Sequence, residues 1–267
     1  MQRQTTQWLI PVLLAIGVAG VLWYYRLQVS PPPPSVAPSS VTVPEEAPSS
    51  SGPRHLVSNM MVEPGEKPAL VPMPSLHESD AYFRLGIVDI FGESMDQFLA
   101  ASGIIERFVA TVDSLPRAEI PGRIRPLTDV TGQFQIGGQD ESGEFHMSPG
   151  NFSRYEELVG LSETVDLNEA MDLYRRFYPL FQSAYVALGY PDGYFNDRLV
   201  EVVDHLLSTP KITGPIELVR PHVLYEFSDP ELEALSGGQK LLLRIGSEQQ
   251  EKITHRLEEL RAMLTTM

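Results

Sequence analysis

Leu167-Asn168-Glu169-Ala170-Met171-Asp172-Leu173-Tyr174-Arg175-Arg176-Phe177-Tyr178-Pro179-Leu180-Phe181-Gln182-Ser183-Ala184-Tyr185-Val186-Ala187-Leu188 is the stretch that decides the fold. Leu167, Ala170, Met171, Tyr174, Phe177, Tyr178, Phe181, Ala184, Tyr185 and Leu188 recur at i, i+3, i+4, i+7, the spacing of one helix face. Asp166 and Glu169 suit a capping box at the start, and Gly189 and Pro191 stop the pattern. Pro179 falls inside it, has no N–H to give, and is expected to kink the helix or split it in two.

Working outward, Tyr194–Leu207 carries Phe195, Leu199, Val202, Val203 and Leu206 on one face. Ser247–Leu264 opens on a Ser247/Gln250 capping box and buries Ile253, Leu257, Leu260 and Leu264. Its acids Glu248 and Glu251 come first and Arg261 comes late, which suits the helix dipole. Ser79–Phe91, Met95–Ala101, Ile104–Val112, Pro230–Leu235 and Gln239–Ile245 also read as helices. Strand signal is thin. Gly132–Ile136 and Glu144–Met147 suggest a hairpin, and Ile216–Val219 with Val223–Phe227 suggests extended chain that Pro221 confines to an edge. Residues 79–267 are therefore expected to form a mainly α, helix-rich globular domain with a small β-hairpin.

Towards the N-terminus the composition changes. Trp8–Tyr25 is a run of 18 residues without a charge, roughly 27 Å long as a helix against a hydrocarbon core of about 30 Å. Both tryptophans of the chain, Trp8 and Trp23, bracket it, with Tyr24 and Tyr25 beside the second; such rings favour the headgroup level. Residues 1–26 thus read as a single transmembrane anchor in the lipid bilayer. Arg3 precedes the run with no acid nearby, and beyond Arg26 the next Lys or Arg is Arg54, so the positive-inside rule leaves the N-terminus cytoplasmic and exports the remainder. A cleaved signal peptide is the rival reading, but no A-x-A site follows the run.

Residues 27–78 hold 12 of the 23 prolines, among them Pro31-Pro32-Pro33-Pro34. Such text buries too little apolar surface to offset chain entropy, so a disordered Pro/Ser-rich linker is expected, a spacer rather than a PxxP ligand. The remaining 79–267 carries 16 basic and 30 acidic side chains. That negative surface argues against nucleic acid and, if it favours anything, favours cationic partners. Cysteine is absent, which removes disulfides, thiol nucleophiles and Cys-based zinc.

Chemistry-bearing motifs are few. Leu235-Ser236-Gly237-Gly238-Gln239 spells the signature of ATP-binding-cassette ATPases, yet none of Lys67, Lys211, Lys240 and Lys252 follows a glycine, so the phosphate-cradling loop is missing. No nucleotide and no other cofactor is expected; the string reads as a helix end at Gly237-Gly238 with a new helix after it. His205 has Glu201 at i−4, which suits an ion pair better than a metal, and no His-Glu-x-x-His or Gly-x-Ser-x-Gly occurs. Asn151-Phe152-Ser153 is a formal glycosylation sequon. Tyr174, Tyr178, Tyr185, Tyr190 and Tyr194 make the densest aromatic text and suit either a core or a recognition surface.

Tyr178-Pro179-Leu180-Phe181-Gln182, Leu188-Gly189-Tyr190-Pro191, Phe195-Asn196-Asp197-Arg198-Leu199, Asp204-His205-Leu206-Leu207, Arg107-Phe108-Val109-Ala110-Thr111-Val112-Asp113 and Gly238-Gln239-Lys240-Leu241-Leu242-Leu243-Arg244 resemble domain-of-unknown-function family 3014. The resemblance implies a bacterial single-pass protein of the same layout, inner-membrane and periplasm-facing, and brings no catalytic residue with it. Together these readings lead to the expectation of a non-enzymatic cell-envelope binding or scaffolding protein, with an envelope protein or wall component as partner. Tyr190, Tyr194, Asn196 and Arg198 are the candidate contacts. The alternative is a periplasmic hydrolase of unrecognised type built on Asn196, Arg198, Asp204 and His205, which would have to converge in one pocket.

Overall fold

The computed structural model describes residues 52–57, 73–139 and 145–266. In chain order come α1 (Asp80–Phe91), α2 (Ile104–Ser114), β1 (Ile136–Gln139), β2 (Phe145–Met147), α3 (Gly150–Ser153) and α4 (Glu156–Thr164). After them come α5 (Leu167–Ala187), α6 (Phe195–Leu207), β3 (Glu217–Val219), β4 (Glu226–Phe227), α7 (Pro230–Glu233), α8 (Gly237–Arg244) and α9 (Ser247–Thr265).

The stripe read from Leu167 onward folds as one continuous helix, α5, which runs through Pro179 without splitting. Met171, Tyr174, Phe177, Tyr178, Phe181, Ala184 and Tyr185 are all buried along it. Its N-cap is Asp166, whose carboxylate accepts the Asn168 N–H at 2.8 Å. Leu188, assigned to the same stripe, instead lies exposed just past the helix end, because the chain turns at Gly189. α5 packs against α1, α2 and α6, while α6 also meets α2 and α9. The core between them is aromatic. Phe181 stacks on Phe195 at 5.7 Å, and Phe83, Phe108 and Tyr174 approach Phe181 through edge and tilted contacts at 5.4, 5.5 and 5.3 Å.

The β element is larger than a hairpin. Four short strands form an antiparallel sheet in the order β1-β2-β3-β4, with Phe145 opposite Leu218 and Leu218 opposite Phe227. β3 is an interior strand rather than an edge, since Pro221 falls beyond its last residue and removes no ladder hydrogen bond. Met147, Ile216, Leu218, Phe227 and Leu243 form a second, smaller core under the sheet. Met95–Ala101 is not an α-helix: Glu93–Phe98 is a 3₁₀ turn, and Leu99 then bridges Leu127 as extended chain.

Two expectations concerning the N-terminal part meet different outcomes. The Trp8–Tyr25 run lies outside the described residues, and among those that are described no helix is long and apolar enough to cross a membrane. Within the stretch expected as a free linker, residues 52–57 are packed on the body, and Val57 is only 1 % exposed in the main core. A Pro-rich average concealed one apolar anchor.

Candidate functional site

The turn from α5 into α6 is built by one side chain. Gln182, on the last turns of α5, donates to the Gly193 carbonyl at 2.7 Å and accepts the Phe195 N–H at 2.9 Å. It thereby satisfies an orphan donor at the start of α6 and fixes the loop 188–194. Tyr190 stacks on Tyr185 with ring centroids 4.6 Å apart, and its hydroxyl donates to Asp113 at 3.3 Å. Asp113 is 2 % exposed. Arg198 reaches its carboxylate at 3.1 Å and its backbone carbonyl at 3.1 Å, and Arg117 pairs with it from the next turn. One buried carboxylate therefore ties α2, the 188–194 loop and α6 together, and charge-assisted hydrogen bonds are the strong kind for such a knot.

Val186 on the last turn of α5 and Leu188 and Tyr190 on that fixed loop stand exposed at 41 %, 43 % and 37 %. We call this exposed apolar segment the shelf; its backbone is already held by the helix end and by Gln182, which lowers the ordering cost of binding. Tyr194 is half-buried and supplies the N-cap position of α6 without a side-chain bond. Tyr174, Tyr178 and Tyr185 are core residues.

The first turn of α6 also holds a different kind of contact. Both Asp197 carboxylate oxygens accept backbone N–H groups, from Arg54 at 2.9 Å and His55 at 2.8 Å. Asn196, fully buried, donates its amide to the His55 carbonyl at 3.1 Å and the Leu264 carbonyl at 3.2 Å, and accepts the Tyr174 hydroxyl at 3.2 Å. Glu201 pairs with the Arg54 guanidinium. Burying Val57 is worth about 1.5–3 kcal/mol. The two carboxylate-assisted bonds add about 1.5–3 kcal/mol each and the Asn196 bond about 0.5–1.5 kcal/mol. Ordering six residues costs about 1–2 kcal/mol apiece, so the two sides nearly cancel.

Asn196, Arg198, Asp204 and His205 do not converge. Asn196 faces the 52–57 segment and α9, Arg198 faces Asp113, Asp204 pairs with Arg261 of α9, and His205 Nε2 meets the Ser236 hydroxyl at 2.8 Å. Glu201 is engaged by Arg54 and Arg198, so the expected His205–Glu201 pair is replaced. Among the described residues no group of three His, Cys, Asp or Glu is placed to hold a metal ion. A cavity of about 320 Å³ lies between the sheet and the start of α9, walled by Met147, Phe152, Ile212, Ile216 and Leu243, with Gln250 at its polar side. None of the six candidate residues lines it.

The Leu235–Gln239 string has a structural explanation. Ser236 is the N-cap of α8 and forms a reciprocal capping box with Gln239. Gly237 and Gly238 open the helix rather than end one, and donate to the carbonyls of Arg117 at 2.6 Å and Leu115 at 2.9 Å. A Cβ on Gly238 would sit 2.9 Å from the Leu115 carbonyl oxygen and 2.8 Å from Leu206, so only glycine allows this approach. The N–H groups that cradle phosphate elsewhere are spent here on the chain just beyond α2. The Asn151 sequon is likewise internal. Asn151 is 1 % exposed and bonds the backbone of Gln135 and Ser148, so its amide is not available to a glycan.

The buried tyrosines give the body a pH limit. Burial pushes the Tyr178 phenol up to about 12 and that of Tyr174 well above its ordinary value. The unfolded chain would ionise these groups near pH 10, before the folded one does, so the fold binds more protons and loses stability as pH rises from about 10 through 12. Below pH 10 the contribution is complete. Urea melts followed by far-UV circular dichroism should show a lower midpoint at pH 11.5 than at pH 9, with Tyr178→Phe flattening part of the difference. Equal midpoints in the wild type would contradict the assignment.

Residues 104–261, well over half the chain, match the family described as "Protein of unknown function (DUF3014)". The chain belongs to that family. No curated protein and no solved structure matches it. The matched span includes Asp113, the Val186–Tyr190 shelf and the Asn196–Asp197 turn, but begins after residues 52–57 and α1.

Proposed function

We propose that this family member is a non-enzymatic binding module of the cell envelope, anchored in the inner membrane by Trp8–Tyr25 with its N-terminus cytoplasmic and its body periplasmic. The uncharged run with its bracketing tryptophans supports the anchor. The shelf of Val186, Leu188 and Tyr190 carries the binding reading, since three large apolar side chains are exposed within five residues where Gln182 fixes the loop and Asp113 holds Tyr190. The polar residues that could have served a hydrolase are each spent on a structural partner. An excess of 30 acidic over 16 basic side chains in 79–267 favours an envelope protein that presents apolar groups among lysines and arginines.

The test is cross-linking on spheroplasts with a membrane-impermeant amine reagent, followed by affinity capture of the full chain. Wild type should yield a discrete cross-linked partner, lost with Leu188→Asp and kept with Leu241→Asp, a second exposed leucine on α8. Cross-linking only with a permeant reagent would overturn the placement. A product indifferent to Leu188→Asp, or made of wall glycan, would overturn the shelf as a protein-docking surface.

A further inference from the structure

We infer that the first turn of α6 is a peptide clasp, that its occupant is the chain's own segment 52–57 in cis, and that the clasp opens reversibly. The clasp reads backbone first. Asp197 accepts two successive N–H groups, of Arg54 and His55, and Asn196 donates to the carbonyl between them and Leu56. The segment bends at Arg54 and His55, so both N–H groups turn toward one carboxylate, and main-chain bonds of this kind give affinity without side-chain identity. Specificity then comes from two side chains. Val57 inserts into the core, and Arg54 lies against Glu201.

The groove is set before the segment arrives. Asn196 is oriented by Tyr174 and the Leu264 carbonyl, and Asp197 sits in the first turn of α6, where the helix dipole favours a carboxylate. Opening therefore needs no rearrangement of the helices. Six residues gain entropy while one apolar anchor, three main-chain hydrogen bonds and the exposed Arg54–Glu201 pair are given up, and neither side dominates. The clasp does not rest on the anchored reading above.

Trypsin distinguishes the two states, because a protease needs the Arg54–His55 bond in an extended, unbonded conformation and His55 N–H is held by Asp197. When opening and closing are fast, cleavage follows the open population. On the purified full chain in detergent, Asp197→Asn should speed cleavage after Arg54 at least about tenfold, the change expected when one carboxylate-assisted bond is lost. Val57→Asp, which alters the segment and leaves the groove untouched, should do the same, while circular dichroism shows the helices retained in both. Equal cleavage rates in wild type and both variants would overturn the clasp. A wild-type dimer that Val57→Asp dissociates, seen by light scattering, would overturn the cis occupant. Neither readout depends on where the anchor sits, so failure of the membrane placement would leave this result standing.

Discussion

Phe195→Ala is expected to lower the stability of the body by about 3–5 kcal/mol, close to the whole margin of many domains. Phe195 is 0 % exposed and is the ring at which the helices meet. It stacks on Phe181 of α5 at 5.7 Å, meets Tyr185 of the same helix at 5.8 Å and Phe108 of α2 at 6.3 Å. Removing it deletes the transfer energy of a whole ring and leaves a void that three rigid aromatics cannot close. The backbone bond from Phe195 to Gln182 survives the substitution, so the loss reports packing alone. Phe195→Leu, nearer in volume, should cost far less. Both tryptophans lie ahead of residue 26, so the melt is best followed by far-UV circular dichroism. A loss under about 1 kcal/mol would move the centre of the core elsewhere.

How far the sequence speaks for this fold depends on what kind of signal each element carries. α5 was legible because its stripe repeats for 21 residues, so the period could be counted rather than guessed. Helix α4 escaped notice: nine residues with Gly160 in the middle bury one side chain, Val159, and two turns do not establish a period. The two Ser-x-x-Gln strings show the limit of local rules. Ser236 and Gln239 form the capping box, because Ser236 has the extended backbone an N-cap requires. Ser247 cannot, since Gly246 takes the N-cap position at φ 88°, and Gln250 reaches instead for the Pro210 carbonyl.

The candidate site divides in the same way. Tyr190 and Arg198 were found from the density of aromatic and charged text, and they do share one partner. That partner, Asp113, gave no warning, because an acid at the end of a helix looks like any solvated acid until something buries it. Val57 was hidden for the opposite reason: it is an ordinary apolar residue in a stretch whose average composition spoke for disorder. Burial of a single side chain by a distant helix is a tertiary fact, and neither composition nor periodicity encodes it.

Asp113→Ala is expected to have the second largest effect, and it separates stability from binding. The substitution strips Arg198, Arg117 and Tyr190 of one shared acceptor. Breaking a buried pair from one side costs about 3–5 kcal/mol when the remaining charge is also buried. Here Arg198 and Arg117 keep 26 % and 59 % of their side chains in solvent and can rehydrate, so about 2–3 kcal/mol is the better expectation. Binding should suffer beyond this. Without Asp113 the Tyr190 hydroxyl has nothing to hold it, the stack on Tyr185 loosens, and the shelf pays ordering entropy whenever a partner docks. Tyr190→Phe isolates that second effect, since it removes only the hydroxyl and leaves both arginines on Asp113. The double comparison is therefore direct: Asp113→Ala should lower both the urea midpoint and the yield of the cross-linked partner, whereas Tyr190→Phe should lower the yield with a midpoint shift under about 1 kcal/mol. Unchanged cross-linking in both variants, with the midpoint falling only for Asp113→Ala, would make the knot a device of the fold alone.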